Sequence, residues 1–162
     1  MTRAEFLARY EAIYEASPWV AEAVWPAAEA GRLRYTASLA AAMRTAVDDA
    51  PRERRLALIR AHPELAGRAA IAGDMAEASK KEQTGAGLDQ CSPEEFAEFQ
   101  RLNGAYNARF GFPFIIAVKG YDRAVILNEF ARRLENDPVM EFDTAIEQIH
   151  RIAGFRLAAL GT

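Results

Sequence analysis

One stretch of this chain is suited to a β-strand, and it stands alone. Residues 111–120 read GFPFIIAVKG, an apolar run with Pro113 between two phenylalanines. No second stretch is suited to pair with it, and an isolated strand is not stable. We therefore predict an all-α fold, a single compact helical-bundle domain, with an extended apolar segment at about 111–120 crossing it. Its unpaired backbone amides need partners, and a polar ligand could supply some of them.

The rest of the chain has helical spacing, and its 162 residues fit one domain spanning 1–162. Ala and Leu are plentiful and β-branched residues are sparse, which also favours helix. Pro18 is expected to close the first helix and Pro26 to interrupt the second. We predict helices at about residues 3–16, 19–30, 36–47 with Thr36 as the cap, 51–60, 92–109, 122–135 and 138–160.

The clearest helix start is Ser92-Pro93-Glu94-Glu95. It combines an N-cap serine, a proline at the first helical position and a glutamate three residues after the cap. In the helix that follows, one face is expected to carry Phe96, Phe99, Leu102, Asn103 and Tyr106.

The charge of the chain argues against a nucleic-acid-binding protein. The formal net charge of −3 gives no nucleic-acid footprint. Each short basic run has acidic neighbours, so we expect solvated helix faces with ion pairs. These runs are Arg52, Arg54 and Arg55; Lys80 and Lys81; and Arg132 and Arg133.

No stretch approaches the roughly 18 apolar residues that a membrane span needs. The N-terminus has interspersed acids and no apolar core, so we expect no signal peptide and no membrane association. A single cysteine, Cys91, excludes an internal disulfide and fits a reducing compartment. We therefore predict a cytoplasmic location. Cys91 has no histidine nearby in sequence and is interpreted as a tolerated loop cysteine. The alternative that it is a nucleophile stays open.

Two histidines are candidates for proton transfer. His62 lies at a predicted helix end before Pro63, and a residue before proline is pushed toward extended backbone. An imidazole there can project into a cleft, and its ordinary pKa near 6.5 suits acid–base chemistry. The alternative is a histidine that only packs and hydrogen-bonds a carbonyl. His150 lies mid-helix among polar residues, and we expect it on a solvated face.

A polar cluster at residues 79–83 offers further groups. If this stretch is helical, Ser79 shares a face with Glu82 and Gln83 at positions i+3 and i+4. That face could present a hydroxyl, a carboxylate and an amide to one ligand, and Glu82 could orient an imidazole. The alternative is a polar surface helix ending at Gly85 and Gly87. No cluster has metal-ligand spacing, so no metal is predicted.

Together these segments resemble one family, the 2-oxo-4-hydroxy-4-carboxy-5-ureidoimidazoline (OHCU) decarboxylases. Four blocks carry the resemblance through their order and spacing. They are AHPELAG at 61–67, SKKEQTGAGLD at 79–89, LNGAYNARFGFPFIIAVKG at 102–120 and RIAGFRL at 151–157.

The resemblance implies a compact all-helical domain, often a homodimer, that uses no metal or organic cofactor. It implies a small ureidoimidazoline substrate, converted to (S)-allantoin in urate breakdown. By motif match, His62 is the catalytic histidine with Glu82 as its partner. The implied substrate-binding residues are Pro63, Ser79, Lys80, Lys81, Gln83, Phe114, Ile115, Ile116, Ala117, Val118, Lys119 and Arg156.

The implied reaction is compatible with these residues. Loss of carbon dioxide pushes electrons into a neighbouring C=N bond, so the substrate is its own electron sink. The protein must orient the carboxylate and protonate the enol-like product on one face, a task for His62 polarised by Glu82. Two alternatives stay open. One is a non-catalytic helical module binding a ligand or protein through residues 112–118, and the other is an enzyme acting on another ureido compound.

Overall fold

The structure, a computed structural model, describes residues 1–67 and 76–161. These ranges are helical and contain no β-strand, which confirms the predicted all-α class. No helix within them is long and apolar enough to cross a membrane. The helices are α1 (Arg3–Tyr10), α2 (Trp19–Glu29), α3 (Thr36–Asp48), α4 (Arg52–Arg60), α5 (Glu77–Gly85), α6 (Pro93–Phe110), α7 (Arg123–Leu134) and α8 (Pro138–Leu160), with a 3₁₀ turn at Leu88–Gln90.

The chain divides into two compact units. The first comprises Met1–Ala61 with Ile149–Thr162, and the second comprises His62–Gln148. All the predicted site residues except Arg156 fall in the second unit. The single domain over 1–162 stays a prediction.

The first unit differs from prediction at three helices. Thr2 and Glu5 form a capping box that starts α1, but α1 ends at Tyr10 rather than near residue 16. The chain then turns, with a positive φ of 43° at Ala16. In contrast, α2 continues through Pro26, so the predicted interruption is wrong. Thr36 is the first residue of α3 and not its cap. The cap is Tyr35, whose backbone N–H donates to the Ser38 hydroxyl.

His150 in the first unit is buried, so its predicted solvated face is wrong. Its Nδ1 lies 2.8 Å from the Tyr14 hydroxyl, and its Nε2 lies 2.8 Å from a carboxylate oxygen of Asp48. A neutral ring satisfies both contacts when Nε2–H donates to Asp48 and Nδ1 accepts from Tyr14. Polar sequence neighbours were misleading here, because a buried polar side chain is tolerated once its hydrogen-bond partners are in place.

In the second unit, α6 begins as predicted. The Ser92 hydroxyl accepts from the Glu95 backbone N–H at 3.1 Å, and the Glu95 carboxylate accepts from the Ser92 N–H at 3.0 Å. That backbone bond, followed by the hydrogen bond from the Arg123 guanidinium, lowers the pKa of Glu95. The helix ends at Gly111, whose φ of 76° is readily adopted by glycine.

The apolar segment after α6 is buried and not a strand, as predicted. Its Phe114 ring stacks on Phe130 at a centroid distance of 3.9 Å, and the Arg133 guanidinium lies over the Phe114 ring, 4.4 Å from its centroid. The same guanidinium donates to the Ile115 carbonyl. The segment is therefore anchored to α7 by both a ring and a carbonyl.

Arg133 is buried, which corrects the expectation of a solvated Arg132–Arg133 run. Its side chain is 2% exposed and pairs with fully buried Glu141 at 2.6 Å, whereas Arg132 pairs with Glu129 at the surface. Glu141 also accepts from the Tyr106 hydroxyl at 2.6 Å. Burial and this carboxylate raise the pKa of Tyr106, so its hydroxyl stays a donor.

Candidate active site

His62 lies two residues after the end of α4 and is buried, with 8% of its surface exposed. Pro63 follows it and is half-buried. The segment from His62 to Gly67 is not helical, as its sequence suggested. A nearly buried imidazole beside a proline is held in a restricted backbone conformation, which suits a group that must keep one orientation.

Helix α5 carries the predicted polar cluster. Ser79 and Gln83 are buried, one turn apart, while Glu82 is half-buried and Lys80 and Lys81 are exposed. The predicted sharing of a face therefore holds for the hydroxyl and the amide. The pairing of Glu82 with His62 stays a prediction.

Gln83 holds the turn that follows His62 and Pro63. Its Oε1 accepts from the Ala66 backbone N–H at 3.1 Å, and its Nε2 donates to the Glu64 carbonyl at 3.2 Å. We call Glu64–Ala66 the 64–66 turn. Its amide thus braces this turn, and the substrate contact that the resemblance implied for Gln83 stays a prediction.

Three further side chains, which the sequence did not mark as part of the site, also contact the 64–66 turn. They lie on α6 at spacings of three and four, so they share a helix face. Each donates a hydrogen bond to the 64–66 turn through its side-chain nitrogen. We call them the amide row, namely Gln100, Asn103 and Asn107. Their spacing was visible in the sequence, but nothing there indicated what they hold.

The apolar segment offers backbone groups as well as rings. The Ala117 N–H donates to Gln148 Oε1 at 2.9 Å. The backbone N–H groups of Ile116 and Val118 find no acceptor within residues 1–67 and 76–161. The Phe114 ring belongs to the core, and Lys119 is exposed. Two buried donors are thus left for a ligand or water.

Arg156 lies on α8 in the first unit. Its guanidinium pairs with the Glu15 carboxylate at 2.9 Å, and both side chains are nearly buried. It also donates to the Ile13 carbonyl at 3.5 Å. Its predicted contact with the substrate stays a prediction.

The second unit also contains a cavity of about 500 Å³. Gln83 and Lys80 line it from α5, and Ala66 lines it from the 64–66 turn. Cys91 and Phe96 also line it. The Cys91 thiol donates to the Leu88 carbonyl at 3.4 Å, consistent with an unreactive loop cysteine. No group of three potential metal ligands occurs in the part of the chain that the structure describes.

Comparison with known proteins identifies the family. The family model for OHCU decarboxylase matches residues 1–158. A 2-oxo-4-hydroxy-4-carboxy-5-ureidoimidazoline decarboxylase of Haloferax volcanii is 42% identical over 153 residues, covering 94% of this chain and 87% of that protein. The uric acid degradation bifunctional protein PucL of Bacillus subtilis is 40% identical over 153 residues, covering 93% of this chain and 29% of that protein.

A solved structure, that of an (S)-allantoin synthase, has the same fold. It superposes with a TM-score of 0.80 at 32% identity, covering 99% of this chain and 51% of that chain, so this chain spans about half its length. These similarities define a helical carboxy-lyase, an enzyme that releases carbon dioxide. More particularly, the chain belongs to the OHCU decarboxylase family. The resemblance seen in the sequence is thereby confirmed, and a non-catalytic binding module is not supported.

Proposed function

We propose that this chain decarboxylates 2-oxo-4-hydroxy-4-carboxy-5-ureidoimidazoline to (S)-allantoin in urate degradation, with His62 as the acid–base group. Family membership supports the reaction. The structural observation that supports the site is the pair of hydrogen bonds from Gln83 to the 64–66 turn. They tie the polar cluster of α5 to the residues directly after His62.

The reaction begins with cleavage of the bond between the ring carbon and its carboxylate. The electron pair moves into the ring to form a C=C bond, the neighbouring C=N nitrogen takes up a proton, and carbon dioxide leaves. The resulting enol then loses its hydroxyl proton and gains a proton on the carbon bearing the ureido group. Delivery of that proton to one face gives a single enantiomer.

His62 is the proposed carrier of these protons, with Glu82 stabilising the charged imidazole. A positioned acid–base group of this kind typically contributes about 10²- to 10⁴-fold to the rate. Little solvent reaches His62, so the proton is delivered by the side chain and not by bulk water. This step controls the stereochemistry.

Substrate binding is assigned to the neighbouring groups. Pro63, Ser79 and Gln83 form one wall, with Lys80 and Lys81 at its exposed edge. The buried N–H groups of Ile116 and Val118 are suited to the 2-oxo oxygen of the ring, and Arg156 to the carboxylate. Lys119 and the backbone of Phe114, Ile115 and Ala117 complete the proposed set.

Substitution of the two proposed catalytic residues tests the assignment. His62→Asn and Glu82→Gln should lower kcat by at least about 10²-fold, the contribution expected of an acid–base group. Helical circular dichroism should be unchanged. His150→Asn is the matched control. Assayed at a temperature below its own Tm, where it is folded, it should keep activity. Full activity in His62→Asn would remove His62 from the mechanism.

A homodimer and a cytoplasmic location are further proposals. The first rests on the family resemblance, and the second on the single cysteine without a disulfide partner. Sedimentation velocity at micromolar concentration should give about twice the 17.9 kDa mass of the chain. A monomer at these concentrations would contradict the dimer.

A further inference from the structure

We propose that the amide row of α6 positions His62 by holding the 64–66 turn. The proposal rests on the proposed function, in which His62 is the acid–base group. Gln100, Asn103 and Asn107 would be positioning residues, since they act through the turn and not on the substrate.

Each residue of the 64–66 turn accepts a hydrogen bond from one member of the amide row. Gln100 Nε2 donates to the Ala66 carbonyl at 2.8 Å, and Asn103 Nδ2 donates to the Leu65 carbonyl at 3.0 Å. Asn107 Nδ2 donates to the Glu64 side-chain oxygen Oε1 at 2.7 Å. Successive amides on one helix face thus hold successive residues of the turn. Such a match fixes both the position and the register of the turn.

The turn needs this support because of Ala66. Its φ is 49°, in the left-handed region that alanine rarely adopts. Its N–H is held by Gln83 and its carbonyl by Gln100. A strained residue of this kind persists only where the surrounding structure determines its conformation, and such residues cluster at functional sites. Here the side-chain amides of Gln83 and Gln100 hold Ala66 in that conformation.

Pro63 links the turn to His62. The proline ring fixes its own φ, and its bulk restricts the backbone of the residue before it. Few free torsions therefore separate His62 from Glu64. A shift of the turn is passed to the imidazole.

Asn103 is buried although only the nitrogen of its side-chain amide is hydrogen-bonded, to the 64–66 turn. The side chain is 3% exposed, and its Oδ1 finds no donor among the residues that the structure describes. A buried polar atom without a partner is costly, and an apolar residue would avoid that cost. The bond to Leu65 is the one side-chain contact seen for Asn103 that explains an amide at this position.

The experiment compares three variants with the wild type. Gln100→Met keeps the length of the side chain and removes the donor, while Gln100→Lys restores a nitrogen donor at similar reach. Gln90→Met makes the same change at an exposed position and is the control. We expect Gln100→Met to lower kcat at least ten-fold with KM changed less than three-fold. Gln100→Lys should recover much of the loss, and Gln90→Met should match the wild type.

Two readouts do not depend on activity. Gln100→Met should raise the amide hydrogen-exchange rate of Ala66 at least ten-fold and shift the ring resonances of His62, and Gln90→Met should do neither. Wild-type kcat in Gln100→Met, or a loss that Gln100→Lys does not restore, overturns the positioning role. A wild-type protein inactive on the ureidoimidazoline refutes the proposed function instead, and the exchange rate of Ala66 then decides whether the amide row holds the turn.

Discussion

The backbone N–H of Ala66 donates a 3.1 Å hydrogen bond to the side chain of Gln83, which lies 17 residues further along the chain. The second arm of that amide reaches the Glu64 carbonyl. One buried side chain on α5 therefore sets the backbone next to the proposed catalytic histidine. Its substitution should disturb both stability and catalysis.

Gln83→Glu keeps an acceptor for Ala66 but replaces the donor to Glu64 with a carboxylate oxygen. Leaving buried polar groups mismatched costs about 1–3 kcal/mol of unfolding free energy. We expect a loss of that size in urea unfolding, together with a lower kcat/KM. Gln90→Glu, the same change at an exposed position, should alter neither. Unchanged stability in Gln83→Glu would contradict the bracing role.

Breaking the buried ion pair of Arg133 and Glu141 should destabilise the fold strongly. Removing one partner leaves a charge buried alone, which costs roughly 3–5 kcal/mol. For a chain of this size that corresponds to a fall in Tm of roughly 6–20 °C for Arg133→Met. Arg132→Met breaks the neighbouring surface pair and should cost at most about 1 kcal/mol. Calorimetry of both variants checks the contrast, and equal losses would contradict it.

The hydrogen bond between Tyr14 and His150 gives a second stability test. Tyr14→Phe removes the hydroxyl and leaves the buried Nδ1 of His150 without that partner, at a cost of about 1–3 kcal/mol. Tyr10→Phe removes a hydroxyl that Arg9 contacts at the surface, and it should cost far less. Urea unfolding measures both. A negligible effect of Tyr14→Phe would mean that this contact contributes nothing to the fold.

The thiol of Cys91 should react slowly at neutral pH. Partial burial, and after it the Glu95 carboxylate, raises the pKa of Cys91 above its ordinary value. Less thiolate is then present at neutral pH, and stability falls as the pH rises because the unfolded thiol ionises first. The pH midpoint of iodoacetamide alkylation should be higher in the folded protein than in the urea-unfolded chain. A midpoint at or below that of the unfolded chain would be the contrary result.

Local chemistry explains what the sequence predicted well. The capping box of Ser92 and Glu95 depends on residues three apart, so it is legible in the sequence. Because no second stretch of the sequence could pair with residues 111–120, this segment was likewise predicted to be extended and not part of a sheet. Position and spacing made His62 and the polar cluster at residues 79–83 candidates, and the family resemblance supplied their roles.

Long-range partners explain what it predicted poorly. Arg133 and His150 have sequence neighbours typical of a solvated face, yet Glu141, Tyr14 and Asp48 satisfy them in buried positions. The role of Gln83 was also hidden, because its partners are backbone groups of the 64–66 turn. Backbone partners leave no residue type to recognise in a sequence.

The most direct measurement is the fate of the ureidoimidazoline itself. Urate is converted by urate oxidase and hydroxyisourate hydrolase, with and without this protein, and allantoin is followed by circular dichroism. The account predicts faster decay of the intermediate, release of carbon dioxide and an excess of the (S) enantiomer. Decay at the uncatalysed rate to racemic allantoin would contradict it.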